Sequence, residues 1–296
     1  MMTYREFREM ITEELEKRIG DLGEIITGLT EKNNNCIMEY MTLKRKDISK
    51  STLIYIDKAY NAYRNGESMD LILDRMEKEL THNITDSDIE LIKDWSKAES
   101  RVYPKLINTG LNTEFLERVP HREILDLSVV YYIEHSEEGK DIKASSIVNN
   151  DILTEWRIAP EMLHEKSIEN FERNKPAFLS RMSLSGMYMQ RCLTDISEKC
   201  IGENEIYMLT GGDGYMGAAY FIFPEILKRI SDVLCEDIVI LPSSVHELVI
   251  LKKDGHLPPE NMAAIVREIN KTNVMPDEVL SESVYEYSDG ELKIIA

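Results

Sequence analysis

Ile238-Val239-Ile240-Leu241-Pro242-Ser243-Ser244-Val245-His246-Glu247-Leu248-Val249-Ile250-Leu251 sets a short polar segment between two runs of branched aliphatic residues. Val and Ile fit the pleated, half-buried surface of a sheet, so residues 237–241 and 245–252 read as consecutive strands. Upstream, strands at 205–210 and 215–223 flank Gly211-Gly212-Asp213-Gly214, a hairpin-type turn in which glycine supplies positive φ. Downstream, 283–287 and 291–295 flank Ser288-Asp289-Gly290. The run Ile124–Ile133 is strongly β-prone, turns at Ser136–Lys140 and returns antiparallel over 141–148. Residues 24–30 and 36–43 form a hairpin across the polar link Glu31–Asn35, Thr52–Ile56 adds a third strand, and 101–108 and 176–182 are extended.

Helices fill the intervals. Thr3 and Glu6 have capping-box spacing, Phe7, Met10, Ile11 and Leu15 recur on one face, and Gly20 supplies a stop. Further helices are expected at 57–65 and 68–80, the second with Met69, Ile72, Leu73, Met76 and Leu80 on one face. Others are expected at 86–100 behind a Thr85 cap, at 113–119, from Asn149 or Asn150 to Trp156, from Pro160 to Asn174 and over 183–200. Pro224, Pro258-Pro259 and residues 276–281 begin the last three. No run of βαβ units and no repeat appears, so the fold class is α+β, mostly antiparallel sheets and hairpins interspersed with amphipathic helices. Without a Pro/Gly/Ser-rich linker, residues 1–296 read as a single module whose best internal boundary lies near 110–121.

The 296 residues hold 35 Lys plus Arg and 54 Asp plus Glu, a net charge of −19. Phosphate contacts need a cationic surface, so nucleic acid and anionic membrane are excluded as expected partners. No stretch approaches the roughly 18 apolar residues of a membrane span. The N-terminal residues alternate charged with apolar side chains and lack the uninterrupted apolar region of a secretory signal. Cys36, Cys192, Cys200 and Cys235 are scattered without zinc-type spacing. The expected compartment is the cytoplasm, with free thiols.

Three groups of residues invite a chemical reading. On an extended chain Ser244 and His246 share one face and Ser243 and Glu247 the other. Such a Ser–His pair could be an activated nucleophile whose third member comes from elsewhere, with Asp126 or Asp237 as candidates. No Gly-x-Ser-x-Gly elbow is present. The competing reading makes both serines satisfy backbone groups at a strand entry and His246 a buried hydrogen-bonding residue. His121 and Arg122, with Asp126, could build a metal or phosphate site together with His246 and Glu247, but no ligand-like spacing supports a metal. Gly211–Gly214 lacks the Lys-Ser/Thr of a phosphate loop, and Lys44-Arg45-Lys46 reads as a solvated strand end.

Several stretches resemble an uncharacterised bacterial family, a domain of unknown function. They are Thr3–Phe7, Val119–Arg122 with Ile124–Tyr132, Tyr207–Thr210 with Gly217–Ala219, Ile238–Glu247 with its Leu-Pro-Ser-Ser-x-His-Glu motif, and Val279–Tyr285. Thr210-Gly211 departs from the Thr-Asn of the family pattern. The resemblance runs along nearly the whole chain and implies one extended cytosolic module, with no assigned activity and no catalytic residues to carry over. The non-enzymatic reading is favoured: a soluble cytosolic bacterial protein that binds another protein or a small ligand, or regulates, without cofactor or metal. The alternative is a hydrolase using His246 with Ser243 or Ser244. A third reading is capture of basic partners by the acidic surface.

Overall fold

Thr3 caps the first helix from both directions. Its hydroxyl accepts from the Glu6 amide at 3.3 Å, and the Glu6 carboxylate accepts from the Thr3 amide at 2.8 Å. In this computed structural model, residues 1–45, 52–81, 86–135, 145–182, 189–196, 206–212, 214–253 and 257–296 are described, except for the side chains of 86–89, 189–191 and 243. The expected cap at Thr85, the turn at Ser136–Lys140 and strand start at 141–144, residues 183–188 and 197–200, Lys46, Cys200, Asp213 and the Ser243 side chain lie outside that description. Contacts divide the chain into two compact units, with the division falling between Leu91 and Ile92.

In the first unit, α1 (Tyr4–Ile19) precedes β1 (Glu24–Glu31), β2 (Ile37–Lys44), β3 (Ile54–Tyr55), α2 (Ile56–Arg64) and α3 (Met69–Thr81). The antiparallel sheet has the order β1-β2-β3. β1 and β2 pair without a bulge from Glu24↔Lys44 to Glu31↔Ile37. Ile25, Met41 and Leu43 therefore share one face, and they pack with Phe7, Ile11, Leu15, Ile56, Ile72 and Met76 into one apolar cluster. The expected third strand is shorter than Thr52–Ile56. Ile56 is fully buried as the first residue of α2, and Asp57 in that turn accepts from the Glu39 amide of β2 at 2.9 Å. A carboxylate at a helix start suits the positive end of the helix dipole.

The division falls within α4 (Asp86–Lys93). The second unit then runs through α5 (Trp95–Ala98), β4 (Val102–Asn108), α6 (Thr113–Leu116), β5 (Arg122–Ile124), β6 (Leu127–Glu134), β7 (Ser145–Ile147), α7 (Asn150–Trp156) and α8 (Pro160–Asn174). It continues as β8 (Ala177–Met182), β9 (Met189–Cys192), β10 (Ile206–Gly211), α9 (Pro224–Leu234), β11 (Ile238–Ser244), β12 (Glu247–Lys252), α10 (Pro259–Asn273), β13 (Tyr285–Ser288) and β14 (Glu291–Ile294). One sheet orders β4-β6-β5, with β7 also on β6; the other orders β14-β13-β11-β12-β10-β8-β9. Every pairing is antiparallel, so the mixed α+β class holds.

The fold depends on polar ties as well as apolar layers. Asn170 of α8 donates to the carbonyls of Glu99 and Val102 at 2.7 and 2.9 Å. Just after α8, the Lys175 ammonium lies 3.0 Å from Glu134 at the end of β6 and 5.0 Å from the centre of the Tyr103 ring. α10 covers β11 with Met262, Ala263 and Val266 against Val239 and Leu241. The 110–121 stretch, where a boundary was expected, lies inside this unit between β4 and β5.

Three local expectations need correction. Residues 215–223 are no strand: Gly217–Ile222 form a 3₁₀ stretch, and Gly217–Phe221 are all buried. A strand face alternates, whereas this segment is enclosed on all sides, and only glycine fits at 217, where a Cβ would come within 2.5 Å of the His246 carbonyl oxygen. β10, which ends at Gly211, is therefore followed by a 3₁₀ stretch at Gly217–Ile222 and not by the expected strand. The described part of 183–200 is β9 and a 3₁₀ turn at Leu193–Asp195, because β8 supplies a ladder from Arg181↔Met189 to Phe178↔Cys192. The helix expected over 86–100 breaks at Asp94, whose carboxylate accepts from the Ser96 amide at 3.0 Å and starts a new helix.

Thr3→Ala removes the hydroxyl half of the first cap. It should cost about 1 kcal/mol, read as a lower urea midpoint at unchanged slope, while Thr3→Ser should stay near wild type.

Candidate functional site: the His246 turn

β11 runs as far as Ser244 and β12 starts at Glu247, with Ser244 and Glu247 paired across the two-residue turn Val245-His246. The register slips between Pro242 and Ser244, the mark of a β-bulge. Proline has no N–H to give to the ladder, which makes such a position tolerable at a hairpin end. Ser244 and His246 consequently do not alternate along one strand face as an extended reading requires.

The turn's backbone is held on several sides. The Val245 amide donates to the Glu278 carbonyl at 2.9 Å. The His246 amide donates to Ser244 Oγ at 3.1 Å, and the His246 carbonyl accepts from Thr210 Oγ1 at 3.1 Å. The imidazole is equally committed. Its Nδ1 accepts from the Met216 amide at 3.2 Å, and its Nε2 stands 3.5 Å from Glu278 Oε1. An Nδ1 that accepts leaves the proton of the neutral ring on Nε2, facing the carboxylate. The Tyr215 ring lies 5.5 Å from the imidazole, centre to centre, and bonds through its hydroxyl to Ser145 at 3.2 Å. Met216 takes the left-handed conformation at φ 52°, a strained position for a residue with a Cβ.

Met216, Glu278 and Tyr215 escaped the sequence reading. Met216 acts through its backbone, and Glu278 is 32 positions from His246 (278 − 246), so neither left a local signal. Chemically, the cluster joins the β11–β12 tip to the 3₁₀ stretch after β10 and to the 3₁₀ turn Pro276–Glu278. Neither ring nitrogen is directed at Ser244, whose oxygen is engaged by the turn's own amide.

The other expected residues have separate partners. The His121 ring bonds the Val119 carbonyl at 3.1 Å. Arg122 pairs across β5–β6 with Val129, and so shares a sheet face with Tyr131. The buried Tyr131 hydroxyl lies 3.0 Å from His164 Nδ1. Burial, then the nearby Arg122 charge, lowers the His164 pKa; burial pushes that of Tyr131 up to about 12. Asp126 faces a different set: its Oδ2 accepts from Ser281 and Ser283 at 2.7 and 2.9 Å, and its Oδ1 from Tyr285 at 2.7 Å. Asp237 accepts from Ser288 at 2.6 Å, which holds its carboxyl below the usual range. A hollow of about 600 Å³ lined by Arg229, Ser231, Asp232, Cys235, Glu236 and Asp237 includes none of the His246 contacts. Among the described residues, no three His, Cys, Asp or Glu side chains gather as a metal site. No helix of the described structure is long and apolar enough to cross a membrane.

Asp126→Ala strands three hydroxyls, two of them on the buried residues Ser281 and Tyr285. It should cost about 3 kcal/mol, against about 1 kcal/mol for Ser283→Ala, measured by chemical denaturation. His164 adds a pH dependence. Above its usual value of 6.5, both folded and unfolded forms are neutral. Below it the unfolded chain gains the proton first, so stability should fall with pH through that value towards the lower folded one. The fall should be shallower in His164→Asn, with urea midpoints compared between about pH 7.5 and pH 5.5.

Comparison with known proteins adds the lineage. No curated protein and no solved structure matches the chain. Residues 4–289, nearly its full length, match a family of unknown function, DUF5688, and the chain belongs to that family.

Proposed function

We propose that this chain is a soluble cytosolic bacterial protein, one functional module, that works by binding or regulation and not by catalysis, with another protein or a small ligand as its partner. The observation that carries this reading is the engagement of both His246 nitrogens, by the Met216 amide and by Glu278. A general base needs an open lone pair aimed at the proton it takes. Here the imidazole acts as a strut between three segments, and Ser244 serves the turn's own backbone. The family match over residues 4–289 supports treating the chain as one module.

His246→Ala and His246→Gln, assayed beside wild type on chromogenic esters, phosphoesters and peptides and by thermal denaturation, test this. Wild type should turn over none of the panel. The alanine variant should lose about 1–3 kcal/mol of stability, since it strands the Met216 amide. Turnover by wild type that disappears in His246→Ala at an unchanged melting temperature would instead establish the hydrolase using His246 with Ser243 or Ser244.

A further inference from the structure

One face of the sheet β4-β6-β5 carries an inference that rests on the binding reading and names a ligand chemistry for it. Arg122 of β5 pairs with Val129 of β6, so Tyr131, two places further along β6, is its diagonal neighbour on the same face. α8 packs on β4 and β6 and brings His164 to Tyr131, Nδ1 to hydroxyl at 3.0 Å, with the two rings edge to face. A guanidinium, a phenol and an imidazole from three elements thus form one cluster, in which the Arg122 charge acts on both rings. Tyr131 is 1% exposed, His164 is half-buried and Arg122 is exposed. The hydroxyl lies at the bottom of the cluster, and the two basic side chains rise from it towards solvent.

The placement of protons fixes what this cluster can do. A hydroxyl buried this far must give its proton to an acceptor inside the protein, and His164 Nδ1 is the acceptor at hand. Burial pushes the Tyr131 pKa up to about 12, so the hydroxyl keeps that proton at any ordinary pH. Burial, then Arg122, lowers the His164 pKa, so the ring is neutral at pH values above its usual range. A neutral imidazole that accepts at Nδ1 carries its own proton on Nε2. Tyr131 is therefore a positioning residue. It selects the tautomer in which Nε2–H, across the ring from the buried hydroxyl, is a donor beside the guanidinium fork of Arg122.

Charge chooses the ligand. Glu161 acts on Tyr131 and Glu165 on His164, and both are exposed residues of α8. A dianion such as sulfate would set its second charge against these two carboxylates, with the single charge of Arg122 to offset it. A carboxylate brings one negative charge. It is planar, takes two parallel bonds from a guanidinium, and keeps lone pairs for a third donor. We infer that Arg122 and His164, with Tyr131 setting the tautomer, form a binding site for the carboxylate group of a small monoanionic ligand.

The probe is sodium acetate, titrated into the isotope-labelled full chain at about pH 7.5, where a free imidazole is also neutral. Ionic strength is held with sodium chloride, and sodium sulfate is the dianion control. Long-range proton–nitrogen spectra read the tautomer of each histidine, and His164→Asn identifies the His164 signals. His164 should carry its proton on Nε2, and Tyr131→Phe should shift it towards the tautomer mixture of a free imidazole. Acetate should move the Nε2 signal saturably, with a Kd of about 1–10 mM, and sulfate should bind at least about tenfold more weakly. Arg122→Gln should weaken acetate at least about tenfold at an unchanged melting temperature. Arg122→Lys, which keeps the charge but loses the fork, should weaken it by less, and it serves if the glutamine variant melts early. A wild-type proton on Nδ1, an acetate response still linear at about 100 mM, sulfate binding as tight as acetate, or acetate binding indifferent to both Arg122 variants would overturn the inference. Turnover in the hydrolase panel that depends on His246 would overturn the binding reading and leave the acetate result standing. A failed acetate titration beside a silent panel would overturn the carboxylate site alone.

Discussion

The Asp126 carboxylate receives three hydroxyls, from Ser281, Ser283 and Tyr285, and much of the second unit depends on that one acceptor. An ionised carboxylate only accepts, and bonds to it are stronger than those between neutral groups. The three donors sit at alternate positions, so the segment must be extended for all of them to point the same way. That requirement sets the course of the chain between the turn that ends in Glu278 and the strand β13. Asn108 and Asn270 add side-chain bonds to the carbonyls of Leu280 and Ser281. The buried Tyr285 has its pKa raised, first by burial and then through Asp126, so it remains a donor at any ordinary pH.

The His246 turn inherits its geometry from this clamp. Glu278 lies just upstream of the clamped residues, and it meets the turn twice: its carbonyl takes the Val245 amide and its carboxylate faces His246 Nε2. On the other side, Gly217 permits close approach to the His246 carbonyl, and the left-handed Met216 turns its amide towards Nδ1. The strain at Met216 is held by the burial of Gly217–Phe221, which over-determines the backbone there. The imidazole is therefore the last piece of a backbone arrangement set by a carboxylate, a glycine and a buried 3₁₀ stretch.

These dependencies explain what the sequence discloses. The capping box at Thr3–Glu6, the apolar periods of α1, α3 and α10, and the hairpins β1–β2 and β13–β14 are local patterns, and local pattern suffices for them. Residues 215–223 read as a strand because Tyr, Phe and Ile favour strands, but propensity yields where a segment is buried on all sides. Ser244 and His246 look like a pair on one face because the extended period was carried through a turn; the bulge after Pro242 ends that period. Asp126 stands out in the sequence as an acid near apolar strands. Its partners are more than 150 positions away, and their alternate spacing, Ser281-x-Ser283-x-Tyr285, gains meaning only beside an acceptor.

Acidity has two different consequences in the two units. In the second, the buried Glu286 is answered by Lys253 and Lys293 at 3.1 and 2.7 Å, and Asp126 by hydroxyls; charge taken from water is matched there and serves the fold. In the first, Arg18 spans from α1 to Asp74 and Glu77 of α3, so surface carboxylates there share one cation that joins two helices. Such exposed pairs add little to stability, so they orient the helices while the apolar cluster beneath supplies the stability.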